Sequence, residues 1–236
     1  MIEAQLSDKP SRVGLLALFR STIGMKVVMA VTGFILYGFV FVHMWGNLKV
    51  YAGREYLNHY AEYLRVLGAP ILGYEHALWI LRVVLIVSVV LHLYSATVLT
   101  LRDRASRPVG YAVKKDQVTN YASRTMIWGG IIVALFVIYH LLDLTVGTLN
   151  PSYTQGDPYG NLVASFQVAP VAIFYILAVS ALGLHLFHGV WSMFQTIGCN
   201  GPRIDKVWRA LAVLTAGAFV LGNSSIPISI LAGLVK

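Results

Sequence analysis

The feature that most constrains this chain is the recurrence of long apolar runs. A helix of about 20 apolar residues crosses the ~30 Å hydrocarbon core of a bilayer. The sequence contains five such runs, at roughly 26–47, 77–101, 125–149, 168–197 and 208–235. The 236 residues are 57% hydrophobic and only 12% charged, which argues against a soluble domain. We therefore predict an all-α integral membrane protein, a five-helix transmembrane bundle formed by a single domain over residues 1–236.

The basic residues are concentrated in alternate connections between these runs. Thirteen of the 18 lysines and arginines lie in the N-terminal segment and in the second and fourth connections: Lys9, Arg12, Arg20, Lys26, Arg102, Arg104, Arg107, Lys114, Lys115, Arg124, Arg203, Lys206 and Arg209. Cytoplasmic loops of membrane proteins carry such an excess. We expect a cytoplasmic N-terminus and an outside C-terminus. The net charge of +8 thus reflects topology, and nucleic acid is not an expected partner.

Histidines lie inside four of the predicted spans, where an ionisable side chain is rare and expected to be functional. His43 and His140 lie 17 and 16 residues beyond the last basic residue before their spans. At about 1.5 Å per residue, both lie ~25 Å from the cytoplasmic end. His92 lies 10 residues from that end, at a height of ~15 Å. The histidines therefore occupy two levels, one outer and one inner.

Two histidines at one height on different helices can bind the iron of a flat macrocycle from opposite sides. His43 and His140 form such a pair at the outer level. His92 forms a second pair with a histidine of the fourth span, and depth alone does not choose between His185 and His188. Because both axial positions of such a haem are filled, the pattern predicts electron transfer through two haems b.

Other residues bear on cofactors and partners. The single cysteine, Cys199, cannot hold an iron–sulfur cluster, which needs about four ligands, so any cluster must lie on another chain. His59 and His76 lie in or beside an outer connection and are expected to be solvated. Asp143, one turn beyond His140, is expected to orient that histidine, to carry protons, or to lie near the outer surface with access to water.

Small and polar residues near the histidines complete the predicted sites. Five glycines leave room for flat rings, namely Gly33, Gly38, Gly129, Gly130 and Gly183. Five polar residues are candidates for the neighbourhood of the inner haem or of a quinone, namely Ser21, Lys26, Arg124, His188 and Gln195. In the outer segment, Glu62 and Arg65 are alternative candidates for a quinone site.

Seven motifs extend over nearly the whole chain: STIGMKVVMAVTG, HMWGNL, ALWILRVVLIVSVVLHLYSA, ASRPVGY, ASRTMIWGG, HLLD and HLFHGVWSMFQTIG. Together they resemble the cytochrome b membrane anchor of type B succinate:quinone oxidoreductases, the five-span dihaem class that includes quinol:fumarate reductases. The resemblance implies a complex in the inner (plasma) membrane of a prokaryote. A FAD-containing flavoprotein and an iron–sulfur subunit would dock on its cytoplasmic side and exchange electrons with a membrane quinone, expected to be menaquinone.

The resemblance also assigns ligands. It implies that His43 and His140 bind the outer haem, and that His92 and His185 bind the inner one. In the family pattern the fourth-span ligand lies four residues before a Gly-Val-Trp step, which here begins at Gly189 and selects His185. His188 is then expected to contact a haem propionate, a water molecule or a neighbouring helix.

The resemblance leaves limits and alternatives. Some dihaem members carry a glutamate, proposed to conduct protons, where this chain has Gly183, so that route is not expected here. The chain lacks a dinucleotide-binding glycine motif and is not expected to oxidise succinate alone. The alternatives are a dihaem anchor of another respiratory dehydrogenase and a transporter with a histidine proton relay.

Overall fold

The computed structural model of the protein describes residues 19–106 and 121–236. Within these ranges the regular secondary structure is helical, without strands, so the all-α prediction is confirmed. The elements in chain order are α1 (Thr22–Asn47), the 3-10 helix η1 (Leu48–Ala52), α2 (Arg54–Arg65), α3 (His76–Ala105), α4 (Tyr121–Leu144), α5 (Pro158–Gln167), α6 (Ala169–Thr196) and α7 (Asp205–Leu231).

Five helical stretches of the described residues are long and apolar enough to cross a membrane, as predicted: Thr22–Ala52, His76–Ala105, Met126–Leu144, Ala169–Thr196 and Asp205–Leu231. The third and fifth spans end earlier than predicted, at Leu144 and not at 149, and at Leu231 and not at 235. Gly233, two residues beyond the end of α7, has left-handed backbone (φ 71°). Such a glycine terminates a helix because it adopts this conformation without steric cost. Gly147 (φ 83°) turns the chain three residues beyond the end of α4.

The largest buried core lies at the end of the bundle that holds η1, α2 and α5, which we call the outer end; the opposite end is the inner end. Side chains from α2, α5, α6 and α7 pack together there, including Leu57, Phe166, Tyr175 and Ile226. The α6 and α7 helices are each other's main packing partners. This core holds α6 firmly in place beside α4 at the outer level.

One outer helix was not predicted. The turn-forming residues of segment 150–161 (NPSYTQGDPYGN) predict an outer loop, but α5 begins within that range at Pro158. The Asp157 carboxylate caps α5 by accepting a hydrogen bond from the Gly160 amide (3.1 Å). It also accepts hydrogen bonds from Arg54 and Asn58 of α2, both at 2.7 Å. Asp157 therefore both starts α5 and joins it to α2.

Replacing Asp157 by alanine is expected to loosen the outer end locally. The change removes a helix N-cap worth about 1 kcal/mol and leaves the Asn58 amide without its acceptor. Hydrogen exchange of the α5 amides should become faster, and proteolysis between residues 145 and 157 should increase. Arg54→Ala is the matched control. Because the Arg54 side chain is 59% exposed, its ion pair with Asp157 should contribute about 0–1 kcal/mol. An equal effect of the two variants would contradict the capping argument.

The same contact has a predicted pH dependence. Partial burial raises the pKa of Asp157, but the hydrogen bonds from Asn58 and Gly160 and the charge of Arg54 hold that pKa below the ordinary value of 3.8. A lowered carboxyl pKa contributes stability that is complete above the ordinary value and is lost as pH falls through the lowered one. Exchange in α5, corrected for its intrinsic pH dependence, should therefore accelerate below about pH 4 in the native chain but not in Asp157→Ala.

Candidate functional site

The outer histidine pair joins α1 to α4. The rings of His43 and His140 lie with their centroids 5.8 Å apart and their planes at 88°. Both side chains are half-buried. Phe39 stacks beside His43 at 5.3 Å, and Phe136 lies 5.8 Å from His140. Two imidazoles thus face each other between aromatic neighbours.

The inner histidine pair joins α3 to α6. The rings of His92 and His185 lie 6.3 Å apart with their planes at 66°. Two of the glycines noted in the sequence lie beside this pair. A Cβ atom at Gly33 would lie 3.4 Å from the His92 ring, and one at Gly130 would lie 3.8 Å from the His185 ring. The backbone therefore comes close to both imidazoles.

The helices that carry the histidines form two packed pairs. Helix α1 packs along α3, and α4 packs along α6, with further contact between α1 and α6. Each histidine pair joins one helix of the first packed pair to one helix of the second. Within the described residues, neither α1 with α4 nor α3 with α6 has backbone contact on the scale of the packed pairs. The imidazoles therefore meet across the space between the helix pairs.

The donor set fits a metal that receives its other ligands from a planar macrocycle. Two bonds from imidazole nitrogen to metal, each of about 2 Å, require rings whose centres are about 6 Å apart. The observed separations of 5.8 and 6.3 Å match that spacing. Among the described residues no group of three or more His, Cys, Asp or Glu side chains is arranged to hold a metal ion. Each described site therefore offers two facing imidazoles, the donor set of a haem held by two histidines.

The hydrogen bonds of His92 identify its free nitrogen. Its Nδ1 lies 3.2 Å from the Thr32 hydroxyl, which donates its own proton to the carbonyl of Val28 at 2.7 Å. The hydroxyl can then only accept from His92, so Nδ1 carries the hydrogen and Nε2 carries the lone pair. Metal-binding histidines typically have this arrangement.

Comparison with known families supplies the remaining evidence. A model described as the succinate dehydrogenase/fumarate reductase transmembrane subunit matches residues 103–223, which is more than half of the chain. The chain belongs to this family. It is thus a multi-pass membrane protein that serves as a membrane anchor subunit of a succinate dehydrogenase or fumarate reductase. Comparisons with curated proteins and with solved structures gave no match.

The two neighbouring histidines of α6 differ in what they contact in this transmembrane subunit. The His185 ring faces His92, whereas the His188 ring lies edge-on to Trp191 at 6.2 Å. Trp191 in turn donates a hydrogen bond to Asp205 at the start of α7. The Nδ1 atoms of both histidines are buried and have no hydrogen-bond partner in the described part of the chain.

The structure assigns Asp143 a specific set of contacts. Its side chain is 2% exposed, and its Oδ2 accepts hydrogen bonds from Ser165 of α5 and Tyr175 of α6, both at 2.7 Å. The Tyr175 hydroxyl also lies 3.5 Å from Nδ1 of His140. Asp143 is therefore buried in the bundle and reaches His140 through Tyr175.

The other predicted neighbours lie apart from the ring pairs. The Ser21 hydroxyl caps α1 by accepting from the Gly24 amide. Lys26 and Gln195 are exposed, and their side chains form no hydrogen bond within the described residues. The side chain of Arg124 lies outside the described part of the chain. In the outer segment, Arg65 forms ion pairs with Glu75 (2.7 Å) and Glu62 (3.5 Å).

Three further expectations can be compared with the structure. His59 and His76 are exposed, as expected. Gly183 was expected to leave room for a ring, and this is wrong, because a Cβ atom there would collide with Val220 of α7. Gly183 instead allows close packing of α6 on α7. Gly38 and Gly129 border open space, since a Cβ atom at either would meet nothing within 4 Å.

Proposed function

We propose that this subunit binds two haems b and passes electrons between an iron–sulfur subunit and a membrane quinone. The observation that carries the proposal is the arrangement of the two histidine pairs, each of which joins one helix of the α1–α3 pair to one helix of the α4–α6 pair. His43 and His140 would hold the outer haem, and His92 and His185 the inner one. When bound, each haem would supply a one-electron carrier.

The protein's own part is to hold each imidazole in place and to keep water away. Packing of α1 on α3 and of α4 on α6 holds the helix backbones, and aromatic rings beside His43 and His140 keep the outer site apolar. The Thr32 hydroxyl, by accepting a hydrogen bond from Nδ1 of His92, would leave the Nε2 lone pair of this imidazole for iron. These features support iron binding at both levels.

Basic residues at the inner end support this end as the docking face for the soluble subunits. The Arg102 guanidinium at the end of α3 donates a hydrogen bond to the carbonyl of Arg20, just before α1. The start of α1 and the end of α3 therefore meet at the inner end. Arg104, Lys206 and Arg209 lie at the same end. Six further basic residues of the predicted cytoplasmic side lie outside the described part of the chain or have undescribed side chains: Lys9, Arg12, Arg107, Lys114, Lys115 and Arg124.

We propose that the inner end faces the cytoplasm of a prokaryotic cell, with the C-terminus outside. A flavoprotein with FAD and an iron–sulfur subunit would dock there, which agrees with the single cysteine of this chain. We propose menaquinone as the quinone. Lys26 and Gln195 remain its proposed inner neighbours together with Ser21 and Arg124, because the first two have side chains free to bind a ligand.

A histidine proton relay is the alternative from a different functional class. A relay needs hydrogen bonds that continue from one imidazole to the next. The buried Nδ1 atoms of His185 and His188 have no such partner within the described residues. Family membership also favours the electron-transfer anchor over a transporter.

The test is the haem content of the purified subunit. We expect two haems b per polypeptide in a pyridine haemochrome assay, because two separate histidine pairs are present. The reduced-minus-oxidised spectrum should show haem b bands. Succinate should reduce the haems, and so produce these bands, only when the soluble subunits are bound. One haem or none per chain would contradict the dihaem proposal, and succinate oxidation by the isolated chain would contradict its role as an anchor.

A further inference from the structure

The outer histidine pair is connected to a buried carboxylate, whereas no carboxylate among the described residues is hydrogen-bonded to the inner pair. Asp143 is almost fully buried between α4, α5 and α6. Its Oδ2 accepts hydrogen bonds from the hydroxyls of Ser165 and Tyr175 at 2.7 Å each. Tyr175 then lies within 3.5 Å of His140 Nδ1. At the inner pair, His92 Nδ1 meets the neutral hydroxyl of Thr32, and the His92 ring also has a backbone hydrogen bond with Met29.

The direction of these hydrogen bonds follows from the number of protons available. The Tyr175 hydroxyl has a single proton, and it donates that proton to Asp143. Toward His140 its oxygen can therefore only accept, which requires a hydrogen on Nδ1 of that histidine. In a neutral imidazole the lone pair then lies on Nε2, the nitrogen that would bind iron.

We propose that Tyr175, with its proton committed to Asp143, is a positioning residue that fixes the tautomer of His140 and increases the electron donation of this imidazole to the outer haem iron. The proposal rests on the proposed function, since it presumes that His140 binds haem. A histidine whose N–H is hydrogen-bonded toward a carboxylate is a more basic ligand. A more basic ligand favours ferric over ferrous iron and so lowers the midpoint potential of the haem.

The test is Tyr175→Phe in the purified complex, with redox titration of both haems and electron paramagnetic resonance of the ferric state. The ring remains, so its contacts with Phe136 (5.2 Å) and Phe166 (4.7 Å) are kept. We expect the midpoint potential of the outer haem to rise. Loss of an outer-shell partner typically costs at least tenfold in metal affinity. If the preference for ferric iron falls by the same factor, the rise in potential is about 59 mV for one electron.

Tyr139→Phe is the matched control. Tyr139 precedes His140 in α4, and its ring lies 6.0 Å from that of Tyr175. Its hydroxyl forms no hydrogen bond within the described residues, so removing the hydroxyl should leave both midpoint potentials unchanged. The outer haem is identified independently as the one that is lost in His140→Ala.

The outcomes separate this proposal from the proposed function. A raised potential and altered resonance of the outer haem alone, or loss of that haem alone, in Tyr175→Phe but not in Tyr139→Phe, would support the role of Tyr175. Equal behaviour of the two variants, a shift of the inner haem, or loss of both haems from Tyr175→Phe would overturn it. Absence of haem from the native complex would instead overturn the proposed function itself.

Discussion

Replacing His43 by alanine is expected to remove the same haem as replacing His140 by alanine. Their rings face each other at 5.8 Å, and either change would remove one of the two imidazoles proposed to hold the outer haem. Each variant should therefore retain one haem per chain, and the haem bands should fall by about half. The remaining spectrum should be the same in both, because the inner pair on α3 and α6 is unchanged. Haem content and low-temperature spectra of the two variants measure this.

The control for these variants is His59→Ala. His59 is an exposed histidine of α2 at the same end of the bundle, and it lies outside both ring pairs. Its replacement should leave both haems in place. If His43→Ala and His140→Ala removed spectrally different haems, the pairing of α1 with α4 would be wrong. If both variants kept two haems, His43 and His140 would not be ligands at all.

The spans were predictable from sequence because hydropathy measures the property that a bilayer selects. The meeting of His43 with His140 also follows from counting residues from the charged end, since helix rise is nearly constant. The ends of α4 and α7 were less predictable. There the helices end at Leu144 and Leu231 although apolar residues continue to Leu149 and Val235, so hydropathy alone places the boundary too late. At α7 the left-handed backbone of Gly233 ends the helix.

The short helix α5 was missed although its sequence contains a start signal. Asp157 followed by Pro158 is a typical N-cap and first helical residue. The surrounding residues are rich in turn formers, and this composition outweighed the signal. The contacts of Asp157 with Arg54 and Asn58 could not be predicted, because they depend on how α2 folds back over α5.

The partners of the histidines were also beyond the sequence. Thr32 and Tyr175 lie on helices other than those of the imidazoles they contact, His92 and His140. Whether two such side chains meet depends on the rotation of each helix about its axis. Apolar spans have weak amphipathic patterns and so leave that rotation undetermined. Asp143 was recognised as unusual because a carboxylate inside a span is rare, but its contact with Tyr175 required the structure.

The two histidines of α6 need separate explanations. Three residues along a helix place them about 60° apart around the axis and ~4.5 Å apart along it, so both lie near the inner site. His185 faces His92 across the space between the helix pairs. His188 faces Trp191, whose indole is hydrogen-bonded to Asp205 at the inner end. The contacts of His185 favour iron binding, and those of His188 favour a polar neighbour near the inner end.

Replacing His185 by alanine is therefore expected to remove the inner haem, whereas His188→Ala should retain it. Loss of His185 leaves His92 without an opposing ligand and should reduce haem content from two to one per chain. His188 has a buried Nδ1 without a partner in the described residues, and a propionate or water held at that nitrogen would satisfy it. Its loss should alter the low-temperature spectrum or the potential of the inner haem and leave the stoichiometry unchanged. If His188→Ala lost the inner haem and His185→Ala kept it, the two roles would have to be exchanged.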